Sequence, residues 1–152
     1  MIPSRIFNIA VFILATANYG LAFGVCIDAN GYSGRHPTVK EEINGSVGVV
    51  IGEAEKFTNL SESENTSDLE GITATVYRVR VTRLLHGPLA EVIDVRSDND
   101  SGRFPLDLGK EYVLFLQRDS HGYFVDNCGN SGLLLQRAKL LQELGVSADD
   151  TK

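Results

Sequence analysis

The stretch from Arg103 to Cys128, RFPLDLGKEYVLFLQRDSHGYFVDNC, constrains the fold more than any other part of the chain. Tyr112-Val113-Leu114-Phe115-Leu116 is an unbroken apolar and aromatic run whose length and composition predict a strand buried on both faces. Asp119-Ser120-His121-Gly122 is turn chemistry, with Gly122 free to take a positive φ. The segment from Gly122 to Asp126 then returns as a second, shorter strand that runs on to Cys128. The result is a hairpin carrying one half of a covalent staple.

The other half lies near the front of the chain. Met1 to Arg5 carries one positive charge, and Ile6 to Ala17 is apolar apart from Asn8 and Thr16. That pattern predicts a signal peptide over residues 1–22, with cleavage after Ala22, and no membrane insertion once it is removed. Export places the product in a secreted or periplasmic setting, where cysteines pair. Cys26 and Cys128 are the only two, so a disulfide between them is expected. Closing a loop of about 100 residues is worth on the order of 4–5 kcal/mol by the chain-entropy relation.

Charge narrows the partners. The net charge is −6, and losing a leader that holds Arg5 makes it more negative still. No Lys/Arg cluster offsets this, so nucleic acid is not an expected partner. Trp is absent, and Tyr and Phe fall mainly in strand signals, where they serve as core.

Between the two cysteines the chain reads as mainly β. Thr38-Val-Lys-Glu41 has the capping-box pattern and predicts a short helix ended by Asn44-Gly45. Ser46 to Phe57 is strand-like, and Gly48 and Gly52 invite a sharp coil. Thr58 to Gly71 is polar at most positions and reads as a mobile connector. Ile72 to Leu85 is the longest strand signal; its alternation changes phase, which predicts a bulge near Val76-Tyr77. Arg78, Arg80 and Arg83 then line a solvated outer face. Glu91 to Ser97 is a third strand, and the Tyr112 and Tyr123 strands follow. Leu133 to Leu144 is expected to be helical, with Ser131 as N-cap and Gly145 at C′. Residues 146–152 form a flexible tail.

Five strands with glycine-bent walls, a short N-terminal helix and a C-terminal helix fit a small OB-like barrel. A β-sandwich would need about seven strand signals at regular spacing, which this sequence lacks.

Val49-Val50-Ile51-Gly52, Tyr77-x-Val79-x-Val81, Ser101-Gly102, Leu108-Gly109-x-x-Tyr112-Val113-Leu114-Phe115 and Asn127-Cys128 occur in an order that resembles the netrin-like, or tissue-inhibitor-of-metalloprotease-like, OB domain. That domain is found in secreted animal proteins and in small exported bacterial ones; the resemblance runs from Val47 to Cys128 and implies a domain over residues 23–145. Family members commonly begin with Cys-x-Cys, whose first Cys bonds to a mid-domain Cys-Gly and whose second bonds to a late Cys. Here Gly24-Val25-Cys26 stands in the first place and Ser101-Gly102 in the second, so both halves of one bridge are missing together. The resemblance thus implies that Cys26 and Cys128 keep the other bridge. It also implies a partner-binding ridge built from Phe23, Gly24, Val25 and Ile27 beside Asp98, Ser101 and Phe104. The family's inhibitors chelate a protease zinc through the first Cys, a residue this chain lacks.

Motifs for chemistry are sparse. Asp98-Asn-Asp-Ser-Gly102 looks like the front of a calcium loop, but its twelfth position is Gly109 rather than Glu. His36, His86, His121 and the cysteines show no ligand spacing, so no metal or cofactor is expected. Asp119, Ser120 and His121 supply the residue types of a catalytic triad, yet as neighbours on a hairpin tip they are expected to point apart. Glu41-Glu42 and Asp149-Asp150 are expected on exposed elements. N-x-S sequons stand at Asn44, Asn59, Asn65 and Asn99. The expectation is an exported, non-enzymatic domain that binds an unidentified protein through barrel-rim loops; the alternative is a metalloprotease-type inhibitor.

Overall fold

A computed structural model of the chain describes residues 36–61 and 71–146. The expected leader, the segment Phe23 to Ile27 with Cys26, most of the polar connector and residues 147–152 lie outside the described residues. Among the described residues, no helix is long and apolar enough to cross a membrane.

Helix α1 (Val39–Gly45) begins as its sequence predicts. The Glu41 N–H donates to Thr38 Oγ1 at 3.3 Å, and Glu41 Oε2 accepts from the Thr38 N–H at 2.9 Å. A cap of this kind contributes about 1 kcal/mol.

Among the described residues six strands follow: β1 (Gly48–Ser61), β2 (Ile72–His86), β3 (Val92–Asp98), β4 (Glu111–Asp119), β5 (Gly122–Val125) and β6 (Gly132–Leu133). The sheet order is β1-β2-β3-β5-β4-β6, and an additional β1–β4 pairing closes the first five into a ring. All pairings are antiparallel except β3–β5, which joins Val95 to Tyr123 and Arg96 to Phe124 in parallel. The fold is therefore mainly β and OB-like, with a short helix toward each end.

The ring has two apolar faces. Inside it, Val50, Ala54, Val79, Val95, Leu114 and Leu116 meet around Tyr77 and Tyr112. Outside, Val49 and Ile51 of β1 and Val113 and Phe115 of β4 pack under Leu134, Leu140, Leu141 and Val146. The first half of β1 and the middle of β4 are thus buried on both faces, which is why Tyr112 to Leu116 can be apolar at every position. Val146, expected at the head of a flexible tail, is buried in this outer cluster.

Strand β1 runs four residues further than its apolar pattern, so Thr58 to Ser61 are strand rather than connector. The expected bulge at Val76-Tyr77 is absent. Pairing of β2 with β3 is unbroken from Ala74–Asp98 to Arg80–Val92, and the nearby irregularity lies on β1 at Glu55, between Ala54 and Lys56. The partner strand supplies the extra residue and the bend. Gly52 permits the close crossing, since a Cβ there would lie 2.6 Å from Val79 Cγ1.

The closing helix is shorter than expected. Gly132 and Leu133 pair with β4 as β6, Leu134–Gln136 form one 3₁₀ turn, and α2 spans only Ala138–Glu143. Ser131 is not its N-cap: the Ser131 Oγ accepts the Phe115 N–H at 2.9 Å in the interior. Gly145 does take the C′ role, at φ 70°, with the Val146 N–H donating to the Leu141 carbonyl at 2.8 Å.

Candidate functional site

The candidate site is the rim where the loop after β3 meets the turn after β5. Asp98 is exposed at the end of β3, with Oδ1 accepting from Arg96 Nε at 2.7 Å. The Asn99 N–H donates to the Thr73 carbonyl at 2.8 Å and Asn99 Nδ2 to that of Ile72 at 3.0 Å, pinning the loop to the start of β2. Asp100 Oδ1 accepts the Gly102 N–H at 2.8 Å, an Asx-type turn. These carboxylates serve the backbone and Arg96. Among the described residues no group of His, Cys, Asp or Glu is arranged to hold a metal ion.

Ser101 stands exposed at the loop tip, whereas Phe104 is only partly exposed. Its ring meets Tyr112 edge-on at 6.5 Å between centroids, its N–H donates to Ser97 Oγ at 3.0 Å, and it packs against the barrel interior. An aromatic ring beside a strand-rich core gains more from burial than from display. Phe23, Gly24, Val25 and Ile27 of the expected ridge lie outside the described residues, as does the expected Cys26 half of the disulfide.

The turn carrying Cys128 adjoins this loop. Asn127 Nδ2 lies 3.5 Å from the Ser101 carbonyl oxygen, at the outer limit of a hydrogen bond. The Cys128 N–H donates to Asp126 Oδ1 at 2.8 Å, and His36 Nδ1 donates to the Cys128 carbonyl at 2.8 Å. A cleft of 230 Å³ runs between loop and turn, with Asp98, Asp100, Asp119 and Asp126 on its walls against Arg96. Four carboxylates against one guanidinium suit a basic complementary surface.

Beneath the turn sits a residue that sequence reasoning misplaced. Glu42, grouped with exposed carboxylates, is only 6% exposed. Its Oε2 accepts from the Asn130 N–H at 2.7 Å and from Asn130 Nδ2 at 2.6 Å. Burial pushes its pKa up and nearby Asp126 adds to this, against the opposing pull of the Asn130 donors and Arg137. Among the described residues Oε1 has no hydrogen-bond partner. A Cβ at Gly129 would lie 2.0 Å from Oε1, so any larger residue there must push the Glu42 carboxylate aside. The signal was the helical spacing: residue 42 shares a face with Val39 and Ile43, which pack on the outer core.

The hairpin tip differs from expectation in detail. Ser120 Oγ lies 3.4 Å from His121 Nδ1, so these neighbours do not point apart. Asp119 Oδ2 approaches the same nitrogen, at 3.8 Å. A triad needs the hydroxyl and the carboxylate on opposite ring nitrogens, with water excluded; here both crowd one nitrogen on an exposed tip. His36 and His86 are exposed on other elements. Arg78 and Arg80 lie on a solvated face, as expected, whereas Arg83 is half-buried: Arg78 Nε meets Asp94 at 3.1 Å and Arg80 Nε meets Glu55 at 2.7 Å across the strands.

No protein-family model matches the chain, and no curated protein matches it.

Proposed function

We propose that the chain is an exported, non-enzymatic binding domain of the netrin-like or metalloprotease-inhibitor-like type. In this reading residues 1–22 are removed, Cys26 bonds to Cys128, and the segment from Phe23 to Ile27 runs beside the rim loop to engage another protein. The observation that carries it is the contact between Asn127 and the Ser101 carbonyl, which sets the Cys128 turn against the loop tip. A segment anchored at Cys128 must leave from that place. The strand order adds support, because the five-strand ring is the OB arrangement the resemblance implies. Binding residues on loops held by a rigid barrel are the common arrangement.

Intact mass of the exported protein, with and without reductant, tests the framework. The expected product starts at Phe23 and gains two hydrogens on reduction; two alkylatable thiols without reductant overturn the tether. The inhibitor alternative predicts stoichiometric loss of protease activity. No effect of the purified mature protein across a metalloprotease panel removes it.

A further inference from the structure

We propose that the open end of the barrel, between the outer half of β1 and the rim loop, binds a small aromatic carboxylate. A concavity of 360 Å³ opens there, within the usual size range of small-molecule sites. Its apolar wall is Tyr77 and Leu106, both buried, and Phe57, which is 49% exposed on the same face as Tyr77. Phe57 and Tyr77 are register partners whose ring centroids stand 6.1 Å apart at 53°. The Phe57 face left open to solvent offers a planar ligand a stacking surface.

The polar wall donates. Asn59 Oδ1 is occupied by the Thr75 hydroxyl at 3.1 Å, which leaves the Asn59 amide N–H groups facing outward from that bond. Asn99 Oδ1 is likewise occupied, by Arg103 NH1 at 3.5 Å. Arg103 is the distinctive member. Arg78, Arg80 and Arg96 each meet a carboxylate, whereas among the described residues Arg103 meets only that amide oxygen. An exposed guanidinium without an acidic partner, on the lip of an aromatic hollow, is matched by a carboxylate, which it can grip with two parallel N–H groups. A neutral polyol leaves that charge unanswered, and a phosphate dianion asks for more than one cation.

This site shares the rim loop with the ridge proposed above but uses Asn99 and Arg103 of that loop, and it does not depend on protein binding at the ridge. Its test is a titration of the ¹⁵N-labelled mature protein with benzoate, benzyl alcohol and inorganic phosphate, followed by amide shifts. Benzoate is expected to move the amides of Phe57, Asn59 and the Asn99–Phe104 loop saturably, with benzyl alcohol at least tenfold weaker and phosphate without effect. Arg103→Gln is expected to erase the preference for benzoate over benzyl alcohol, and Phe57→Ala to weaken both. Both positions are exposed, so the fold tolerates the changes. No saturable shift with benzoate, equal affinity for benzyl alcohol, or an unchanged preference in Arg103→Gln would each overturn the proposal.

Discussion

Glu42 grips Asn130 twice, through the backbone N–H and through Nδ2, and a single carboxylate oxygen takes both bonds. Helix α1 thereby holds the turn that follows Cys128, although 88 residues separate the two partners. The Asn130 amide also donates to the Pro37 carbonyl at 2.9 Å, so the turn is fixed to both the helix and its approach.

Removing this grip has a cost and a pH signature. Glu42→Ala strands two part-buried donors and is expected to lower stability by about 2–3 kcal/mol in urea unfolding. The Glu42 pKa is raised in the fold, so the folded state binds this proton more tightly than the unfolded chain. The associated stabilisation is complete below the ordinary carboxylate range and is lost as pH rises through the folded value. Glu42→Gln removes that titration. Its stability relative to wild type is expected to improve as pH climbs above about 4.5; a constant difference would refute the assignment.

Gly129→Ala forces a methyl into Glu42 Oε1 and is expected to cost about 1–3 kcal/mol. Because the clash is with one side chain, Glu42→Ala should relieve most of it. A double-mutant cycle by urea denaturation checks this, and simple additivity would rule the contact out.

Ser131→Ala is expected to destabilise the barrel by about 1–3 kcal/mol, since it leaves the Phe115 N–H unpaired in the interior. Amide exchange discriminates this role from a helix cap. The Phe115 amide should lose protection while the amides of α2 keep theirs.

Tyr112→Phe deletes the hydroxyl that accepts the Asp107 N–H at 2.8 Å. The expected loss is about 1 kcal/mol, with faster exchange at Asp107 and no change in the ring packing on Phe104. Thermal unfolding and amide exchange together measure it.

The legible parts of this fold were those set by short-range pattern. Tyr112 to Leu116 announced a doubly buried strand because no polar residue interrupts it, and Thr38 with Glu41 announced a helix start because the cap is local. Gly145 marked the end of α2 for the same reason. What pattern missed was decided by distant partners. Gly132 and Leu133 leave the helix because the edge of β4 is there to pair with them. Of the four irregularities in the β1–β2 pair, the one nearest Val76-Tyr77 has its extra residue at Glu55 of β1, which nothing in the phase of β2 specifies. Of the candidate rim, Asp98 and Ser101 are exposed, in keeping with their turn chemistry, while Phe104 packs partly against the core.

The joint between β3 and β5 spans just two residue pairs, Val95 with Tyr123 and Arg96 with Phe124, whereas β1 and β4 share six. A cylinder parts along its shortest stitch, and this stitch lies between the strand that feeds the rim loop and the strand that feeds the Cys128 turn. Opening it would swing those two apart. Any grip that needs both would then sense whether the cylinder is shut, and clasping a guest across them would in turn hold the cylinder closed.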